Sequence, residues 1–413
     1  MAQAGQVESQ VVPVTERIAL GALTSTFPPE LVDRVIERTG RGEQRRRLLP
    51  ARVVVYYVLA LALFAGVAYE EVMRRLVEGL GWARPARRGR RTWPYWHVPG
   101  ASALGEARAR LGPAPLRVLF AQAARPVATP GTRGAWYHQW RVLTIDGTCL
   151  DVPDTPGNEA AFGRPGSGRG QRRSAFPQVR LVGLIECGTH AIVDAALGPY
   201  ATGETRLARV LVGSLGPGML VLADRLFFGA GLWRQLAGTG ADLAWRVKTG
   251  KTGKTAPTLP VDRVLADGSW LSHVDAASDR RKRHPITVRV IEYALADPGR
   301  PGRVERYRLV TTILDPDQAP AAELAALYHQ RWEAETTLAE VKTAQRGPKR
   351  VLRSRTPDLV EQEVWAHLLV HYALRRLMHT AALEEDLDPD RLSFTQTLRV
   401  VGRQLIAHAA LSP

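Results

Sequence analysis

Apolar positions recur at helical spacing through the first third of the chain. FPPELVDRVIERTG (27–40) opens on two prolines, closes on a glycine and repeats its apolar residues three and four apart. Those are the boundaries and the stripe of an amphipathic helix. The run VVVYYVLALALFAGVAY (53–69) is apolar for 17 residues, the lower limit for a membrane span. Arg52 precedes it, Glu70 and Glu71 follow it, and it stands alone in a heavily charged chain, so it predicts a fully buried helix. YEEVMRRLVEGL (69–80) and ASALGEARARLG (101–112) read as further helices, separated by the basic, aromatic, proline-broken loop WARPARRGRRTWPYWHVPG (82–100). Residues 1–135 therefore read as an all-helical domain.

From about residue 140 the pattern becomes that of strands. RVLTID (141–146) is short, apolar and β-branched, and QVRLVGLIEC with HAIVDAALG reads as a hairpin around Gly188. MLVLAD (219–224) and DLAWRVK (242–248) read as buried strands, with helical ETRLARVLVGSL and FFGAGLWRQLA between the strands. Hairpin, crossover helix and buried strand together define an α/β core. Residues 249–303, with the basic DRRKRH (279–284) and the strand-like ITVRVIEYAL (286–295), break that rhythm and predict a β-rich insertion. YRLVTTIL (307–314) resumes the central sheet. Long helices follow around DPDQAPAAELAALYHQRWE (315–333) and TPDLVEQEVWAHLLVHYALRRLM (356–378), and a last one near SFTQTLRVVGRQLIAHAA (393–410). The expected boundaries are 1–135 for the helical domain, 136–248 and 304–380 for the two parts of the core, 249–303 for the insertion and 381–413 for a C-terminal helical tail.

Charge narrows the function. Lys and Arg number 56 against 40 Asp and Glu, a formal net charge of +16 in 413 residues. Such an excess calls for an acidic partner, nucleic acid before membrane. Cys149 and Cys187 are too few for a disulfide framework, and the N-terminus has no signal peptide, so a reducing cytoplasm is expected.

Candidate chemistry sits at three places. Asp146 follows VLTI and Asp224 follows LVLA. An α/β sheet presents its reactive groups where strands end, although either residue could merely cap a loop. Asp151 and Asp154 lie beyond the strand and are weaker candidates. The third place is YHQRWEAETTLAEVK (328–342). At about 100° per residue, Tyr328, Arg331, Glu335 and Lys342 fall within one narrow wedge of a helix, while Glu333 and Glu340 point to the far side. Those two are therefore expected to tolerate substitution as surface positions. Mixed charge on one strip is also what a solvated, ion-paired helix face shows. Two aspartates and one glutamate, however, can hold a pair of hard divalent cations for phosphodiester chemistry.

At this point the sequence resembles a known family. Tyr328-x2-Arg331-x3-Glu335-x6-Lys342 matches without a gap the signature of DDE transposases of the IS-four insertion-sequence group. IDGTCLDVPDTPGN and LADRLFFG look like the two aspartate segments of that group, and LTSTFPPELVDRVIERTG with its downstream helices resembles its N-terminal domain. The resemblance implies a ribonuclease-H-like core with a β-rich insertion behind a helical N-terminal domain. It makes Asp146, Asp224 and Glu335 a catalytic triad that binds magnesium or manganese. It places Tyr328, Arg331 and Lys342 on phosphates near the cut end, and Trp270 is the candidate for a base-stacking aromatic. It implies binding to terminal inverted repeats and target DNA, cut-and-paste transposition through a homodimeric synaptic complex, and association with the nucleoid. A metal-dependent nuclease without strand transfer, or a truncated, non-catalytic DNA-binding derivative, is the alternative left open by a chain that stops at Pro413. Other motifs carry less. GKTGKT (250–255) has the wrong glycine spacing for a phosphate loop. His367 and His371 sit in an apolar helix as structural residues, and GRPGSGRGQRR (163–173) reads as a DNA-facing loop.

Overall fold

The computed structural model describes residues 20–42, 49–79, 98–166, 174–249, 256–274, 285–296, 304–347 and 351–410. Arg45, Arg46 and Arg47, the arginines between 84 and 91, the GKTGKT segment, the DRRKRH segment and most of the GRPGSGRGQRR loop lie outside the described residues.

Six helices come first: α1 (Leu20–Thr26), α2 (Pro29–Arg38), α3 (Ala51–Leu63), α4 (Tyr69–Gly79), α5 (Ala101–Leu111) and α6 (Ala114–Ala123). The long apolar run forms α3 only as far as Leu63, buried from Val54 to Leu63; the expected buried helix over 53–69 breaks at 64–68, a turn in which Gly66 and Ala68 are exposed, and Tyr69 opens α4. Among the described residues no helix is long and apolar enough to cross a membrane. What covers α3 is the 28-residue helix α12 (Pro357–Glu384), which also packs on α6. The joint is polar at one point: buried Arg108 of α5 donates to Gln362 and Ser354, and Gln362 donates back to the carbonyls of Arg108 and Gly112. One hydrophobic cluster runs from Leu23 through the sheet to Val401, so the helical region and the core share their interior.

The sheet holds the remaining logic. A short β1 (Trp136–Tyr137) pairs with β2 (Trp140–Asp151), and β3 (Gln178–Glu186) and β4 (Ile192–Pro199) form the expected hairpin, turning at Gly188 with φ of 75°. Between β2 and β3 stands α7 (Pro156–Phe162). A crossover, α8 (Glu204–Ala208) continued by a 3-10 turn, leads to β5 (Met219–Ala223), and α9 (Ala230–Ala237) leads to β6 (Asp242–Val247). The core order is β4-β3-β2-β5-β6, with β2, β5 and β6 parallel and β3 antiparallel to its neighbours. That is the ribonuclease-H topology. The insertion does not form a separate layer. Its strands β7 (Arg263–Val264), β8 (Trp270–Val274) and β9 (Ile286–Ala296) continue the same sheet through β10 (Val304–Thr311), which pairs antiparallel to β6.

Period-two alternation assigns the two faces. Leu143, Ile145, Val221, Ala223, Leu243 and Trp245 join the large cluster with α12. Val142, Leu220, Leu222 and Ala244 face a second cluster with Leu324, Leu327 and Tyr328, brought there by α10 (Ala321–Leu327). Both faces are covered, which is why these strands read as unbroken apolar runs.

Candidate active site

β2 does not stop at Asp146. It continues to Asp151 paired with β3, while its parallel pairing with β5 ends at Ile145 opposite Ala223. Asp146 and Asp224 are thus the next residues on two neighbouring strands, at the open carboxyl end of the parallel pair. Strand spacing sets them roughly 5 Å apart at the backbone. Each carboxylate is tethered by the following amide: Gly147 N donates to Asp146 Oδ1 at 2.8 Å, and Arg225 N to Asp224 Oδ1 at 2.6 Å. A side chain at Gly147 would run into Glu204, which packs there and pairs with Arg180.

The third carboxylate arrives on a helix of changing pitch. Tyr328–Arg331 is a 3-10 turn, α11 (Trp332–Ala339) is regular, and Glu340–Ala344 is a π turn in which Gln345 N bonds to Glu340 O at 2.9 Å. Arg331 joins the strands to this helix. Its guanidinium donates to Glu335 Oε1 at 2.9 Å and to Asp146 Oδ2 at 3.4 Å, and it is only 8 % exposed. Burial pushes Asp146 up to about 6, a rise to which Glu335 and Glu204 add and which the Gly147 amide and Arg331 oppose. Asp146 and Glu335 thus share one guanidinium, with Glu204 also near Asp146, and carboxylate oxygens are the donors that hard divalent cations take.

The other expected residues divide. Tyr328 is 6 % exposed and gives its hydroxyl to the Ala223 carbonyl at 3.2 Å, so its side chain packs under Asp224. Lys342 is exposed on the π turn. Trp270 is half-buried on β8, with the Arg308 guanidinium 5.8 Å from its ring. Four strand spacings separate β8 from β5 in the sheet. Asp151 and Asp154 are engaged by Gln178 and by Arg164. His367 and His371 are buried in α12, His367 held down to about 4 by burial and His371 bonded to Glu340.

Glu333 and Glu340 correct the expectation. They do point away from the strip, but into a cleft that His190, Arg375 and Asp390 also line, not onto an open surface. Glu340 is half-buried against the buried Arg375 and His371. Glu333 accepts from the Gly188 amide and is pushed up to about 8 by burial. It lies close to His190 and Asp390, three groups that could converge on a metal ion. Arg375, fixed on Glu340, donates to His190 Nδ1 at 2.9 Å. With Nδ1 accepting, the ring proton falls on Nε2, which lies 2.9 Å from Asp390 Oδ1 but outside hydrogen-bond geometry, and a protonated Nε2 is not available as a metal ligand. No sequence signal marked this network, because its members come from four distant segments.

A ribonuclease-H-like sheet with one aspartate where the parallel pairing of its first core strand stops, another just past its fourth, and a glutamate on a following helix defines the class of nucleases and polynucleotidyl transferases. Comparison gives the family. Residues 138–373 match the Transposase DDE domain, more than half of the chain, and residues 17–121 match the Insertion element 4 transposase N-terminal region. The chain belongs to the DDE transposases of insertion element 4 type, enzymes that bind and cut DNA with divalent metal. It is similar to the transposase InsG for insertion sequence element IS4 of Escherichia coli K12, 29 % identical over 403 residues, 96 % of this chain and 85 % of that protein. It is also similar to the putative transposase InsZ of the same organism, 26 % identical over 225 residues, 54 % of this chain and 70 % of that one. Among solved structures, a piggyBac transposase synaptic complex with hairpin DNA superposes with a TM-score of 0.46 at 11 % identity, over 95 % of this chain and 82 % of that one.

Proposed function

We propose that this insertion-sequence transposase uses Asp146, Asp224 and Glu335 as its catalytic carboxylates, with magnesium or manganese, to free a 3′-OH at each terminal inverted repeat and transfer it to target DNA. One observation carries the reading: the parallel register ends at Ile145 and Ala223, and Arg331 ties the next residue, Asp146, to Glu335. The three carboxylates would hold the cations, whose chemistry is to acidify the attacking hydroxyl and to stabilise the leaving oxygen.

The chain's own residues supply placement. Tyr328 fixes the backbone before Asp224 through the Ala223 carbonyl. Lys342, exposed beyond Glu335, is free to take a phosphate of the cut strand. Residues 1–135 contribute to end binding, the sheet extension at 249–303 lies alongside the DNA, and two protomers pair the element's ends. This division follows 136–248 and 304–380 as the two parts of the catalytic core, with 381–413 as a tail.

Plasmid excision in magnesium tests the assignment. Asp146→Asn, Asp224→Asn and Glu335→Gln should each abolish cleavage and strand transfer while end-DNA binding, read by gel shift, is kept or strengthened, because a repulsive charge leaves a basic surface. Robust excision by Glu335→Gln would overturn the assignment.

A further inference from the structure

We propose that Arg331 is an internal gate on metal binding: its guanidinium holds the catalytic carboxylates in the DNA-free protein and releases them when a phosphodiester takes its place. This rests on the reading of Asp146, Asp224 and Glu335 as metal ligands.

The geometry supplies the competition. Arg331 Nη1 and Nη2 reach Asp146 Oδ2 and Glu335 Oε1 at 3.4 and 2.9 Å. Those are oxygens a cation would need. The guanidinium also stands beside the Tyr328 ring, and one buried cation bridges Asp146 and Glu335. An arginine cannot leave such a cluster by losing its proton; it can only move. A divalent ion arriving alone must therefore break two charge-assisted bonds and accept a neighbouring positive charge. A phosphodiester changes the balance, because its two oxygens match the guanidinium fork. Glu335 is 45 % exposed at its side chain, so the pair is open to solvent and a phosphodiester can reach it. Metal and DNA then favour each other through one residue, and the coupling must be reciprocal. The arrangement would keep the nuclease centre poorly loaded until DNA is bound.

Manganese(II) binding to the full chain, followed by electron paramagnetic resonance of the free ion, tests this without reference to activity. Without DNA, Arg331→Gln should bind manganese more tightly than the wild type, by on the order of tenfold. Arg331→Lys, which keeps the charge but loses the fork, should fall between them and decides the matter if Arg331→Gln does not fold by circular dichroism. Arg225→Gln removes an exposed cation beside Asp224 and measures the general effect of charge. With a duplex copied from the DNA flanking the gene, wild-type affinity should rise, and that of Arg331→Gln should rise less. The gate is overturned if Arg331→Gln binds no tighter than wild type, or gains no more than Arg225→Gln, while Asp146→Asn abolishes binding. If Asp146→Asn and Glu335→Gln bind manganese like the wild type, the site reading itself is wrong and the gate goes with it.

Discussion

Single side chains around α11 do different work although they share one short sequence. Glu335 opens to solvent beside Arg331, whereas Glu340, five residues on, is enclosed with Arg375 and His371. Removing one partner of a buried pair leaves an uncompensated charge and costs about 3–5 kcal/mol. Glu340→Gln should therefore lower the melting temperature clearly in a thermal scan, while Glu335→Gln should leave it near the wild-type value. Glu333 adds a pH dependence. Its carboxyl sits at about 8 in the folded chain against an ordinary 4.5, raised by burial and by Asp390 and Asp388, and lowered by the Gly188 amide and Arg375. His190 Nε2 lies 3.5 Å away. A raised carboxyl favours folding while it is protonated, so this contribution is complete below about 4.5 and is lost as the pH rises through about 8. Glu333→Gln should remove that decline. Urea unfolding of both proteins at pH 5, 6, 7 and 8 checks it: parallel curves would show that Glu333 does not carry the proton.

At the scale of elements, the helix that presents Glu335 is defined by its changes of pitch. A π turn carries one more residue than an α turn and occurs often at functional sites. Here it spans Glu340–Ala344, and the residues beyond it, Gln345 and Arg346, are buried, with Gln345 Nε2 donating to the His367 carbonyl at 3.0 Å. Deleting the exposed Thr343 would restore an α turn and swing the following residues by about 100°. The expected result is a lower melting temperature and loss of excision together, whereas Thr343→Ala should change neither strongly. Retained stability in the deletion variant would mean that the π turn is not what seats Gln345.

For the whole molecule, the shared core matters more than any boundary. α3, α5 and α6 cover α12, and Arg108 crosses the joint to Gln362 and Ser354. Removing residues 1–135 would strip an apolar face from α12, so the remainder should be prone to aggregation and proteolysis, as limited trypsin digestion would reveal. End-DNA affinity should fall steeply with salt, with a log–log slope of about −0.9 for each phosphate neutralised. A slope near zero in a titration against potassium chloride would contradict a binding surface built on the net charge of +16.

Much of this protein was legible in the order of its residues. Period and boundary signals are local, so α2, the start of α3, the β3–β4 hairpin, β5 and β6 fall where the apolar patterns put them, and Asp224 directly follows the end of β5. The family signature named Tyr328, Arg331, Glu335 and Lys342 because spacing along one helix is also a property of the sequence. Tertiary structure decided what faces those residues. A constant 100° per residue assumes one pitch and an open far side, but α11 is bounded by a 3-10 and a π turn, and α12 with the β3–β4 turn covers the side that bears Glu333 and Glu340. Only packing could put Tyr328 under Ala223, set Arg331 between Asp146 and Glu335, and carry Trp270 four strands from β5. Contacts between residues far apart in the chain leave no periodic trace in it, so the fold alone turned a strip of charges into a site.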